Sequence, residues 1–144
     1  MGRRLRLAAV RWFSRRVGAA RRERLARALR APARRRLLLG LIFTAMPRAV
    51  RRSAREGERV VIEWRVTGRR DGHPDVRQLV IGDGSAALFP GEQRDPDLVI
   101  TVGGVDLLLV ATGNASAPAL FVRGELEIDG DPWLALRLPT LFGL

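Results

Sequence analysis

Four carboxylates near the end of the chain have the residue types and the spacing that could hold a cation. Glu125, Glu127, Asp129 and Asp131 alternate with apolar or small residues, and every second side chain of a β-strand lies on the same face. One interpretation is therefore a metal or other cation site. The other is the solvated face of a half-buried strand, which the apolar residues between the acids favour.

The side chains that most enzymes use as nucleophiles or zinc ligands are scarce in this chain. It has no cysteine and one histidine, His73, in a turn-like segment that precedes Pro74. Thiolate catalysis, disulfides and zinc–thiolate sites are therefore excluded. A single turn histidine without other ligands beside it is typical of a solvated loop rather than of a metal site. We expect a protein that is not an enzyme.

Three glycine-containing stretches are candidates for phosphate-binding loops, Gly82-Asp83-Gly84, Gly103-Gly104 and Gly113, and none matches a nucleotide fingerprint. The first has no third glycine and no helix after it, and the chain has no Gly-Lys-Ser/Thr motif. The second lies between a predicted strand and a predicted helix, but the nearby carboxylate of Asp106 opposes phosphate binding. We therefore expect no nucleotide and no other cofactor.

The net charge of +11 is unevenly distributed along the 144 residues. Residues 1–55 carry 18 arginines and one acid, for a net charge of +17, whereas residues 56–144 carry 8 arginines and 14 acids, for a net charge of −6. The front of the chain could therefore bind an anionic partner. The acidic remainder is not a nucleic-acid binder by its charge.

The basic front of the chain, residues 1–32, is predicted to be an amphipathic helix that Pro32 separates from the next helix. It could lie on an anionic membrane, dock on its own domain, or bind nucleic acid through phosphates. Adjacent aromatic residues on the apolar face favour lipid or protein contact, so nucleic acid is the least favoured partner. The candidate membrane-contact residues are Trp12, Phe13, Arg4, Arg11, Arg15 and Arg22.

A second helix is predicted from about Ala33 to Arg55, with Pro47 kinking or restarting it. Its apolar centre, residues 37–46, is about half as long as the roughly 20 residues that span a bilayer. The long arginine-rich lead argues against a secretory signal. We therefore expect a helix buried in the core, and a cytoplasmic protein that could be peripheral at a membrane.

From Glu58 onward the apolar period changes from helical to alternating. Strands are predicted at residues 60–66, 76–81, 85–89, 98–102 and 123–129, with a tight hairpin turn at residues 82–84. One helix is predicted from residue 104 to 113. Another begins after Asp131 as N-cap and Pro132 as the first helical residue.

Six stretches within residues 94–142 form a pattern of residues at fixed offsets: Asp97–Thr101, Asp106–Leu108, Thr112-Gly113, Ala119–Asp131, Leu134-Ala135 and Leu141-Phe142. With these stretches, residues 94–142 resemble the second half of the sterol carrier protein 2 family of lipid-binding domains. Residues 37–90 resemble the family by order of elements more than by residue, and residues 1–32 lie outside the resemblance. The predicted domains are therefore a basic helix at 1–32 and a lipid-binding domain at 33–144.

The resemblance implies an α+β fold in which helices cover a five-stranded, mainly antiparallel or mixed sheet and enclose an apolar tunnel. It implies non-catalytic binding or transfer of a sterol, fatty acyl chain or isoprenoid. The family also includes bacterial accessory proteins of isoprenoid quinone synthesis, so an interaction domain with a closed core is the alternative. The oligomeric state and the ligand are left open.

Apolar side chains on the predicted strands and helices could line such a tunnel or could equally fill it, because protein interiors pack densely. The candidate lining residues are Trp64, Leu88, Phe89, Leu107, Leu108, Phe121, Trp133, Leu136, Leu141 and Phe142.

Overall fold

A mixed sheet of five strands forms the centre of the fold. The computed structural model describes residues 20–142. The strands are β1 (Val60–Thr67), β2 (Asp75–Gly82), β3 (Ser85–Pro90), β4 (Leu98–Gly103) and β5 (Leu126–Gly130), in the spatial order β3-β2-β1-β4-β5. Strands β1 and β4 are parallel, and the other neighbours are antiparallel. The predicted α+β class with a mixed five-stranded sheet is confirmed.

Six helical segments accompany the sheet within residues 20–142. They are α1, whose described part covers residues 20–30, α2 (Pro32–Ala49), α3 (Arg52–Arg55), α4 (Gly104–Ala111), α5 (Ala117–Val122) and α6 (Pro132–Leu141). None of the helices within residues 20–142 combines the length and the apolarity that a membrane crossing requires.

The core lies between one face of the sheet and the helices. Alternation along β1 buries Ile62 and Val66 completely on this inner face, while Glu63 and Arg65 lie on the opposite, outer face. The inner faces of the strands share one apolar cluster with Leu39 and Phe43 of α2 and with residues of α4, α5 and α6. One face of α2 is therefore part of the domain core, as its apolar centre predicts, whereas Leu37 and Leu41 of that centre are 64% and 61% exposed.

The hairpin turn between β2 and β3 and the start of α6 follow the sequence signals closely. Asp83 and Gly84 both have positive φ, 53° and 83°, as a two-residue turn of type I′ requires. Asp131 caps α6, because its side chain accepts hydrogen bonds from the backbone N–H groups of Trp133 and Leu134. Gly130 is required just before it, since a Cβ at that position would lie 2.4 Å from the carbonyl oxygen of Asp97.

The predicted interruption of the second helix at Pro47 is present, because α2 ends at Ala49, two residues later, Val50 is extended, and α3 follows up to Arg55. Two other parts of the chain differ from the prediction. The fifth strand begins at Leu126 rather than Arg123, since Gly124 adopts a φ of +76° that interrupts an extended chain. Residues 117–122, for which the sequence predicted neither helix nor strand, form α5, a helix of six residues that Ser116 caps.

Candidate functional site

A cleft of about 790 Å³ opens between α2 and the edge of the sheet. Helices α1 and α2 form one wall, the turn from β1 to β2 forms the other, and the junction of β4 with α4 closes one end. This volume lies in the range of pockets that hold small molecules in proteins.

The floor of the cleft is apolar. Leu39 and Phe43 of α2 and Leu88 of β3 line it, and the first two are at least 96% buried. Leu29 and Val105 add apolar surface at the end where α1 meets α4. The cleft is therefore continuous with the core cluster and presents a surface that an apolar chain could cover.

The walls of the cleft carry an excess of positive charge. The lining includes Arg30, Arg35, Arg36, Arg69, Arg70 and Arg77, against the three acids Asp71, Asp75 and Asp106. The acids all have arginine partners: Asp71 and Asp75 pair with Arg69 at 2.5 Å and 3.3 Å, Asp75 pairs also with Arg35, and Asp106 pairs with Arg22. Within residues 20–142 the structure gives no carboxylate partner for Arg30, Arg36, Arg70 or Arg77.

Arg35 is the one buried arginine of the cleft and joins α2 to the sheet. Its side chain is 8% exposed, and its Nε donates to Asp75 Oδ2 at 3.1 Å. Its Nη2 donates to the carbonyl oxygens of Val66 and Thr67 at 3.3 Å and 3.1 Å. A buried guanidinium is stable only when it is paired and hydrogen-bonded, and these three contacts meet that condition.

Two glycines leave room for the Arg35 guanidinium. A Cβ at Gly104 would lie 3.0 Å from Arg35 Nη1, and a Cβ at Gly68 would lie 3.3 Å from the same atom. Gly68 also has a φ of +106°, a backbone conformation that residues other than glycine rarely adopt. The glycine pair that the sequence suggested as a phosphate loop therefore has a packing function at Gly104.

The turn between β1 and β2 is held by its own charges. The backbone N–H of His73 donates to Asp71 Oδ1 at 3.0 Å, and this bond together with the Arg69 guanidinium holds the pKa of the Asp71 carboxyl below its ordinary 3.8. The hydrogen bond to Asp71, together with the negative charges of Asp71 and Asp75, raises the pKa of Arg69. His73 thus lies in a solvated turn, where its backbone rather than its ring makes the contact.

The buried carboxylate of the domain, Glu63, lies on the outer face of the sheet, away from the cleft. It is 2% exposed and accepts hydrogen bonds from Gln78 Nε2 at 3.0 Å and Arg65 Nε at 2.8 Å. The bond to Glu63 raises the pKa of Arg65. Gln78 in turn bonds both backbone groups of Arg94, so this acid fixes the segment that follows β3.

The acidic row at the end of the chain also lies away from the cleft. Glu125, Glu127, Asp129 and Asp131 are all exposed, whereas Leu126 between them is buried. Within residues 20–142 no three potential metal ligands of the types His, Cys, Asp or Glu are grouped together. This placement agrees with the solvated face of a strand.

The predicted tunnel-lining residues separate into five groups. Leu88 lines the cleft, and Leu107, Leu108 and Leu141 are buried. Trp64 and Phe142 are half-buried against the core cluster.

Phe121, Trp133 and Leu136 are exposed by 51%, 75% and 73%. Phe89 points to the outer face, where the Arg94 guanidinium lies 4.0 Å from its ring centre, because adjacent residues of β3 alternate between faces. The structure thus brings Leu88 alone of this set to the cleft, and the sequence reasoning missed the arginines around it.

The basic front contacts the domain through the part that the structure describes. Arg22 Nη2 lies 2.8 Å from Asp106 Oδ1, an ion pair whose geometry is not that of a hydrogen bond. Arg21 donates to the side chain of Asn114, and Leu29 is 7% exposed. Residues 20–30 therefore dock on the domain. The other candidate membrane-contact residues, Arg4, Arg11, Trp12, Phe13 and Arg15, lie outside the described residues.

Comparison with known proteins decides the family. A profile of the SCP-2 sterol transfer family matches residues 49–143, about two thirds of the chain. The chain belongs to the SCP-2 sterol transfer family. Sterol carrier protein 2 domains are in general non-catalytic lipid-binding domains, and membership supports the binding or transfer of an apolar lipid.

Two sterol carrier proteins match part of this chain in sequence. Sterol carrier protein 2 of Oryctolagus cuniculus and that of Bos taurus are each 31% identical over 61 residues, which is 42% of this chain and 11% of each relative. The chain therefore matches about a ninth of the length of these relatives.

Solved structures show the same fold. Sterol Carrier Protein 2 Like 2 from Aedes aegypti is 22% identical with a TM-score of 0.56, over 74% of this chain and 97% of that one. The sec-alkylsulfatase Pisa1 from Pseudomonas sp. is 19% identical with a TM-score of 0.56, over 72% of this chain and 15% of that one.

We predict that Arg35→Met lowers the free energy of unfolding by about 3 kcal/mol, because it leaves the Asp75 carboxylate and two carbonyl groups without their buried partner. The control is Arg36→Met, an exposed position on the same helix, which should change stability by less than about 0.5 kcal/mol. Urea unfolding followed by circular dichroism measures both. Equal effects of the two substitutions would contradict the structural importance of Arg35.

Proposed function

We propose that this domain binds one apolar lipid molecule, a sterol, a fatty acyl chain or an isoprenoid, in the cleft between α2 and the sheet. The single observation that carries the proposal is the cleft of about 790 Å³ whose floor is Leu39, Phe43 and Leu88. Family membership supports it. So does a relative, the palmitated SCP2L2 from Aedes aegypti, which is 20% identical over 76% of this chain.

The proposed mechanism is non-catalytic. The apolar part of the ligand leaves water for the cleft floor, which contributes about 25 cal/mol for each Å² of apolar surface covered. The ligand's polar end stays near the cleft mouth, where the arginine side chains and solvent are found. Transfer then requires only that the ligand enter and leave, with no bond made or broken.

We further propose that the basic front of the chain brings the domain to an anionic membrane surface. The charge distribution supports this proposal, since residues 1–55 hold 18 of the 26 arginines. Because Arg22 is paired with Asp106, the membrane contact is assigned to Arg4, Arg11, Trp12, Phe13 and Arg15. Each arginine near an anionic surface contributes about 1 kcal/mol of attraction.

A second candidate function, an interaction or accessory domain with a closed core, is favoured by exposed apolar side chains on α5 and α6. Val122 is 83% exposed, and Trp133 and Leu136, three positions apart on one helix face, are exposed nearly as much. Large exposed apolar groups that cluster are typical of surfaces that bind a partner. A domain of this kind would bind no lipid to saturation, so titration with a fluorescent lipid separates the two candidates.

We predict that delipidated protein binds a fluorescent acyl chain or a fluorescent sterol to saturation, with one molecule per chain. Leu88→Gln should weaken this binding about ten-fold, since it removes an apolar contact of roughly 1.5 kcal/mol from the floor. Leu136→Gln, an exposed position outside the cleft, is the matched control and should leave the affinity unchanged. Absence of saturable binding by the folded protein would refute lipid binding.

We predict that the full chain sediments with vesicles of anionic phospholipid and that a variant with both Arg11→Gln and Arg15→Gln binds them about thirty-fold more weakly. Trp133→Ala, which changes an exposed aromatic residue elsewhere, is the control and should keep the original binding. If Trp133→Ala abolishes sedimentation while the double arginine variant does not, the membrane contact lies on α6 instead.

A further inference from the structure

We infer that the cleft selects an amphiphile with an anionic head group and that Arg77 is the residue that binds this head group. The inference rests on the proposed function, that the cleft takes an apolar lipid, and adds the chemical class of its polar end. Arg77 is a charged residue on a face of the sheet where the neighbouring residues are apolar.

Arg77 lies on the inner face of β2, the face that packs on the helices. The next two residues on that face, Leu79 and Ile81, are completely buried. Arg77 is half-buried, lines the cleft, and its guanidinium lies 5.6 Å from the centre of the Phe43 ring. A cation in this position is partly removed from water and loses hydration that a partner must replace.

The protein provides few hydrogen-bond acceptors for the Arg77 guanidinium in place of the lost water. Its Nη1 donates to the carbonyl oxygen of Val76 at 2.8 Å, whereas an arginine has five N–H donors. Among residues 20–142 no carboxylate forms an ion pair with it. Arg35 of α2, which lines the same cleft, contrasts with it, because Asp75 and two carbonyl groups accept hydrogen bonds from the Arg35 guanidinium.

A second donor lies beside Arg77. Trp64 is its partner across the β1–β2 pair, and side chains directly opposite each other in an antiparallel pair have Cβ atoms about 5 Å apart. The indole Nε1 of Trp64 is buried and has no hydrogen-bond partner within the described part of the chain. Because Trp64 does not line the cleft, an acceptor-rich group such as a carboxylate or a phosphate would satisfy the spare donors of Arg77 first.

The arginines at the rim of the cleft also favour an anionic head group. Arg30, Arg36 and Arg70 line it and are exposed, and the three acids of the cleft are already paired. A neutral hydroxyl group could also accept hydrogen bonds but would leave this positive charge unbalanced. An anion both accepts hydrogen bonds and balances the charge, so a fatty acid or an acyl or isoprenoid phosphate fits the cleft better than a sterol.

The test compares three ligands with the same chain of sixteen carbons: palmitate, hexadecyl phosphate and hexadecanol. Each is titrated into delipidated protein by calorimetry, below its aggregation concentration and without vesicles, so that membrane binding does not contribute. We expect palmitate, hexadecyl phosphate or both to bind about ten-fold more tightly than hexadecanol, the difference that one charge-assisted hydrogen bond gives. Whichever anion binds more tightly identifies the head group as carboxylate or phosphate.

Substitution then assigns the preference to Arg77. Arg77→Gln should lower the affinity for the preferred anion about ten-fold and leave hexadecanol unchanged, whereas Arg77→Lys should keep most of the preference. Arg137→Gln, an exposed position outside the cleft, is the matched control and should behave as the unaltered protein. If Arg77→Gln does not fold, the double variant Arg36→Gln and Arg70→Gln, at two exposed positions, should reduce the preference instead.

The outcomes distinguish this inference from the proposed function. Equal affinities of the unaltered protein for hexadecanol and for both anions would overturn the inference and leave lipid binding in place. An anion preference that survives Arg77→Gln, or the double variant where that is used, would overturn the assignment to these arginines. Failure of all three ligands to bind would overturn the proposed function, and this inference with it.

Discussion

The buried guanidinium of Arg35 is the contact on which the shape of the cleft depends. It joins α2 to the end of β1 through two carbonyl oxygens and to the start of β2 through Asp75. A helix held only by its apolar face could slide along the sheet, because apolar contacts are not directional. The hydrogen bonds of Arg35 fix the position of α2, and with it the positions of Leu39 and Phe43 in the cleft floor.

That contact also explains why the cleft is positive. Arg35 and Arg69 occupy Asp75 and Asp71, and Arg22 of the docked helix occupies Asp106. The acids of the cleft are thus used to hold elements of the fold together. The remaining arginines face the cleft with no carboxylate partner among residues 20–142, so charge balance falls to solvent and to whatever binds. The cleft therefore has an apolar floor formed by core residues and walls made cationic by arginines that have no carboxylate partner among residues 20–142.

Much of the fold could be predicted from the sequence, because period-two apolar patterns in β1 to β4 mark strands with one buried face. The Asp131-Pro132 cap and the turn at residues 82–84 carry local signals strong enough to place them. Helix α5 could not be predicted, since six residues with an internal Pro118 show no helical period. The predicted start of β5 at Arg123 was wrong, because the alternating pattern of residues does not reveal that the chain turns at Gly124.

The site was harder to predict than the fold. The lining residues were chosen for apolarity, yet apolar residues such as Leu107 fill the core and others such as Trp133 lie on the surface. Arg77 gave no signal as a site residue, because a lone arginine in a strand usually faces solvent. Its position becomes informative only when the register places it opposite Trp64 on the inner face.

The central claim, that one apolar lipid binds between α2 and the sheet, is tested most directly by photo-crosslinking. Delipidated protein would be loaded with a fatty acid that carries a diazirine near its methyl end, irradiated, digested and mapped by mass spectrometry. The account predicts that the label falls on the cleft floor, in the peptides that contain Leu39, Phe43 and Leu88. A label confined to the exposed face of α6 at Trp133 and Leu136 would contradict it.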